Sequence, residues 1–180
     1  DKGLAMVAGS GDVNIYPNTV QKNMNGSIIT TQSTDSLDIV KTVQPLDKPY
    51  LFQVDFRFTN KSSSSVDRLW IGIFDEMIGD GGRFLDDMRP QFNVDGSVET
   101  VLDIEDLDRE NEVYEDPTSW FGLGSRYFLV AAQPRNTSLS HSEAARLDES
   151  RYGSVAYLGQ PLDVGATRDV SFILFAGPKQ

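Results

Sequence analysis

The chain of 180 residues contains no cysteine and a single histidine. The first absence excludes disulfides, thiolate nucleophiles and sulfur-ligated metals, and the second excludes histidine triads and multi-histidine metal sites. Bases are also scarce, since 16 Lys and Arg against 27 Asp and Glu give a formal charge of −11. A partner held mainly through its phosphates would be repelled, so nucleic acid is not an expected partner. Long apolar runs are missing too. "YFLVAA" and "SFILFAG" stand out, and both fall far below the roughly 20 residues of a membrane-spanning helix. The first residues, "DKGLAMVAGSG", lack the charged and then apolar pattern of a signal peptide. They suit a cytosolic chain, a processed one or a piece of a larger protein.

What is present alternates. In "YLFQVDFRFTN" Phe52, Val54, Phe56 and Phe58 alternate with Gln53, Asp55, Arg57 and Thr59, which puts four large apolar side chains on one face of a strand that must be covered. Weaker strand signals recur in "DVNIY", "GSIITT", "LDIVKTV", "RLWIGIF", "QFNV", "SVETVL", "SVAYL" and "DVSFILF", separated by turn formers. Many short strands in a chain that can bury one sizeable core predict an all-β antiparallel sandwich, one domain over residues 1–180. Asp95 and Gly96 between "QFNV" and "SVETVL" predict a tight hairpin turn. One short helix is expected at "SHSEAARLDES", where Ser140 and Glu143 fit a capping box. The stretch "NKSSSSVD" at 60–67 reads as a flexible loop tip.

Catalytic chemistry is thin. His141 would sit exposed in the first turn of that helix. The acidic run 103–116 lacks the spacing of an EF-hand and reads as a solvated loop, and Asp86 and Asp87, adjacent in sequence, cannot converge on one glycosidic bond. "GSGDVN" and "GLGS" open no helix and are followed by no phosphate-loop lysine. The expectation is a non-enzyme that needs no cofactor and no metal.

The apolar stretch "SWFGLGSRYFLVAAQP", 119–134, reads as a buried hairpin that turns at Gly124 and Ser125 and ends in proline. Its order of Trp120, Gly122, Tyr127, Phe128 and Pro134 resembles the periplasmic domain of YidC-type membrane protein insertases. "PYLFQVDFRFTNKSSSSV" is similar to that family's long strand, and "DVSFILFAGPKQ", with Gly177, Pro178 and Lys179, to its closing strand. The resemblance covers 49–66, 119–134 and 169–180, and is strongest over 46–180. It implies a β-supersandwich of the galactose-mutarotase-like type, excised from a larger protein of the bacterial inner membrane and tethered through helices absent from this chain. By that resemblance its partners are accessory subunits of the Sec translocon or nascent membrane proteins. Trp120, Tyr127 and Phe128 are expected in the core, and the strand ending in Gly-Pro-Lys at the end nearest the bilayer, with both termini there and residues 62–65 at the far end. The alternative is a carbohydrate-binding sandwich module using Trp70, Trp120 and tyrosines as platforms.

Overall fold

The computed structural model describes residues 5–12, 19–22, 26–76, 88–102, 107, 111–146 and 151–179. Within them the chain forms β1 (Ala5–Ser10), β2 (Thr19–Lys22), β3 (Ile28–Ser33), β4 (Leu37–Pro45), β5 (Leu51–Asn60), β6 (Leu69–Glu76), β7 (Arg89–Val94), β8 (Ser97–Thr100), β9 (Glu112–Tyr114), β10 (Thr118–Gly124), β11 (Phe128–Pro134), β12 (Leu139–Arg146), β13 (Arg151–Leu158) and β14 (Thr167–Pro178). Every pairing between these strands is antiparallel, and no α-helix occurs among the described residues.

One layer runs β8-β7-β10-β11-β14-β5-β4-β3-β2 and the other β1-β6-β13-β12-β9. They belong to one sheet because β10 touches β12 through the single pair Thr118 and Leu139. The alternation read at 52–58 is real. Val54, Phe56 and Phe58 are fully buried, while Phe52, nearer the strand's start, is half-buried. They meet Leu69, Ile71 and Ile73 of β6, Phe121 of β10 and Phe172 of β14 in one core between the layers. Phe172 stands edge-on to both Phe56 and Phe121, the arrangement that ring quadrupoles favour.

Two hairpin signals hold. Asp95 and Gly96 both have positive φ, 48° and 83°, which is the backbone of a two-residue turn matched to strand twist. The β10–β11 hairpin forms in register from Phe121 opposite Ala132 to Gly124 opposite Leu129. Its turn lies at Ser125–Tyr127, one residue beyond the expected place.

Two expectations are corrected. Residues 139–146 are strand β12, not a helix, because they are claimed by β13 along one edge and by β9 along the other. Tertiary pairing overrides a capping box that had only a narrow apolar stripe behind it. Loop 60–67 is not a free tip. The amide of Asn60, 2% exposed, donates to the carbonyls of Ser64, Leu162 and Asp163 at 2.8, 2.9 and 3.0 Å and accepts from the Ser62 N–H. Val66 closes the loop by pairing with Leu162. The strand expected at "DVNIY" falls mostly, Asp86 and Asp87 wholly, and half of the acidic run 103–116 outside the described residues, while Glu112–Tyr114 at the end of that run form β9.

Candidate functional site

The β10–β11 hairpin buries a different set of side chains from the one anticipated. Phe121, Leu123 and Ala132 are fully enclosed, Trp120 is half-buried, and Tyr127 and Phe128 are 57% and 54% exposed. Parity explains the difference. A bulge between Thr118 and Trp120 leaves Thr118 buried and Ser119 exposed, and after it the side chains alternate so that Phe121 and Leu123, not Trp120, face the core. Tyr127 lies in the turn and Phe128 at the open rim of the strand. Gly122 is structural in the strict sense. A Cβ there would lie 2.1 Å from the Val130 carbonyl oxygen, and its own carbonyl accepts from the Ser154 hydroxyl of the opposite layer. Pro134 ends β11 opposite Phe172.

The end of β14 is bracketed by these rings. Tyr127 accepts from the Lys179 N–H, Phe128 stands opposite Pro178, and Gly177 leaves space that the Tyr50 ring fills at 2.6 Å from where a Cβ would be. This end also receives the start of β1. Ala5 pairs with Phe74 and Phe74 with Gly153. Ser154, next along, reaches Gly122, which pairs with Ala131, and Ala131 with Phe175. β1 therefore begins and β14 ends at the same end of the sandwich, called proximal here.

A groove of about 580 Å3 opens at the other, distal end, lined by Arg135, Asn136, Gln160, Arg168, Asp169 and neighbouring backbone. Its polar groups are already committed. Arg168 donates to the Gln160 and Pro161 carbonyls at 2.6 and 2.7 Å, Asp169 takes a bidentate pair from Arg57 at 2.7 and 3.0 Å, and the Asn136 side chain accepts from Ser171 N–H. The Arg57 pair holds the Asp169 carboxyl below the usual carboxylate range.

The outer face of the β6-β13-β12 layer carries a second polar cluster. His141 is not in a helix turn but stacks on the Tyr157 ring at 4.3 Å and 4°, and its Nδ1 is 2.9 Å from the Ser140 hydroxyl. The Tyr157 hydroxyl donates to a Glu143 carboxyl oxygen at 2.6 Å, with the Arg68 guanidinium 5.3 Å from the ring centroid. Burial, and then Glu143, push the Tyr157 phenol well above its ordinary range. Tyr157 and Glu143 are only 1% and 7% exposed, so the cluster is packed shut. Sequence reasoning missed it because the helix reading of 139–146 placed Glu143 and His141 on the wrong faces. Trp70 is completely buried, with no partner for its indole N–H among the described residues, so it offers no platform to a sugar. Among the described residues no group of three or more potential ligands could hold a metal, and no helix is long and apolar enough to cross a membrane.

The chain is similar to known proteins in two ways. A galactose mutarotase-like protein from Lactobacillus casei is 12% identical, with a TM-score of 0.52 covering 96% of this chain and 84% of its own. The galactosidase domain of the α-galactosidase-sucrose kinase AgaSK is 10% identical, with a TM-score of 0.50 over 97% of this chain and 28% of its own. At such identities the likeness concerns the fold alone. No curated protein matches the chain. The family model of the YidC periplasmic domain matches residues 18–180, reaching well before the residue 46 at which the sequence resemblance began. With that match over nearly the whole chain, and the β-supersandwich architecture beneath it, the chain belongs to the YidC periplasmic domain family.

Proposed function

We propose that this chain is an accessory, non-catalytic domain of a membrane protein insertase, standing on the periplasmic face of a bacterial inner membrane and assisting the insertion and folding of membrane proteins. The family match over 18–180 carries this reading. In it, the hydrophilic passage that lowers the cost of moving polar segments through lipid belongs to membrane helices elsewhere in the insertase. The proximal end, where β1 begins and β14 ends, faces the bilayer. The distal groove between Arg135 and Arg168 then faces away, where it can take an extended stretch of a nascent chain or of a Sec accessory subunit. The closed Tyr157 cluster and the buried Trp70 weigh against the carbohydrate-binding alternative.

A photo-crosslinking residue in place of Gln160, in the full insertase in membranes, tests this. Adducts with nascent membrane proteins or Sec subunits are expected from Gln160 and not from Val98, on the β7–β8 hairpin. Equal labelling from both positions, or none from Gln160, removes the groove from the reading.

A further inference from the structure

The proximal tip has a chemistry that the proposed function does not require. Large apolar side chains stand exposed there: Tyr50 at 51%, Tyr127 at 57% and Phe128 at 54%. They flank the last residues of β14 from both sides, Tyr50 through Gly177 and Phe128 through Pro178. Ala176 packs toward the core, so Gly177, next in the alternation, faces outward and carries the Tyr50 ring on the outer face. Phe128, paired with Pro178, belongs to the inner parity. What the rings share is therefore the tip and not either sheet face.

The rings are also held in place. Tyr50 has φ of 64°, a left-handed conformation that costs a non-glycine residue free energy unless its surroundings enforce it. Here they do: its carbonyl accepts from Ala176 N–H, and its ring lies edge-on to Phe175 at 6.5 Å. The Ser125 hydroxyl accepts from the N–H groups of both Tyr127 and Phe128, at 3.2 and 3.1 Å, which fixes the second turn. The strained backbone therefore fixes a ring that remains 51% exposed.

Charge completes the pattern. Lys48, Arg126 and Lys179 are exposed beside these rings, with Asp47 as the acidic neighbour in the same turns, on a chain whose formal charge is −11. Arg126 lies 5.3 Å from the Tyr127 ring centroid. Amphipathic rings with interspersed bases are the chemistry of the lipid headgroup layer, where the ring sits at the apolar boundary and the base meets anionic phosphates. We propose that this tip, built on Tyr50, Tyr127, Phe128, Arg126 and Lys179, docks on the anionic lipid surface and fixes the domain's stance on the membrane. The inference rests on the reading of the chain as a membrane-associated domain, but its site is at the opposite end from the groove.

The 180-residue chain can be tested with sedimenting vesicles of phosphatidylcholine, with and without phosphatidylglycerol. The wild type is expected to co-sediment with the phosphatidylglycerol vesicles, less so as salt is raised. The double variant Tyr127→Ser/Phe128→Ser should lower the partition coefficient roughly tenfold on vesicles of either composition. Arg126→Glu/Lys179→Glu should abolish the preference for phosphatidylglycerol. These residues are exposed, and far-ultraviolet circular dichroism checks that the variants remain folded. No binding by the wild type overturns the proposal. So does binding that falls as much in a control Val98→Ser/Val113→Ser variant as in the tip variants. Either result leaves crosslinking from Gln160 unaffected, so the two readings fail separately.

Discussion

The phenol of Tyr157 donates to a Glu143 carboxyl oxygen in a place that water scarcely reaches. Tyr157→Phe removes the donor and leaves that oxygen unpaired, which should cost about 1 to 3 kcal/mol in urea denaturation at neutral pH. The pH dependence has a definite sign. Burial raises the phenol's folded pKa above its unfolded value of about 10, so its contribution is present in full below that pH and is lost as pH rises through the folded value. The wild type should therefore lose stability more steeply than Tyr157→Phe above pH of about 10. Parallel curves for the two proteins would show that the phenol is not the group concerned. Tyr114, also raised by burial and by Glu112, remains in both. A second residue is decided by backbone. Gly122→Ala would press a methyl into the Val130 carbonyl, and should cost about 1 to 3 kcal/mol or more, although one carbon is all it adds.

At the scale of elements, the β10–β11 hairpin separates a residue's identity from its position. Trp120 is the larger side chain but is only half-buried, whereas Phe121 is fully enclosed against Phe172. Phe121→Ala should cost about 3 to 5 kcal/mol and Trp120→Ala clearly less. Equal shifts of the denaturation midpoint would contradict the register. The hairpin itself was legible, because a small-residue turn between two apolar runs leaves few other outcomes. Which of its rings go inside was not, since that depends on the bulge between Thr118 and Trp120, which resets the alternation of β10 against β7. β12 was misread for a related reason. "SHSEAAR" satisfies a helix start locally, and only its partners, β9 ending at Tyr114 and β13 beginning at Arg151, make it a strand. The loop after β5 shows the same limit. Four serines in a row look mobile, yet Asn60, at the end of the strand, anchors three carbonyls from two segments. Asn60→Ala should make that loop a protease-sensitive site, with cleavage near Ser63 that the wild type resists.

At the scale of the whole molecule, the alternation in β5 and the spacing of turns made a sandwich readable, but the grouping of strands into layers was not. The sequence neighbours β5 and β6 lie in different layers, and β1 joins β6 rather than β2. Covalently continuous and joined through a single strand pair, the two layers depend on the shared core to act as one body. The two tryptophans report on them separately: Trp70 belongs to β6 in one layer and Trp120 to β10 in the other. If the core couples the layers, unfolding is two-state and probes in either layer follow the same transition. Two single-tryptophan variants, Trp70→Phe and Trp120→Phe, allow each layer to be followed alone by fluorescence during urea denaturation. In each variant the fluorescence midpoint should coincide with that of the far-ultraviolet circular dichroism, whatever the absolute loss of stability from the substitution. A fluorescence transition displaced from the dichroism in either variant would mean that one layer unfolds while the other stands. The interlayer contacts of Phe172, Phe121 and Phe56 would then be too weak to make the sandwich a single cooperative unit.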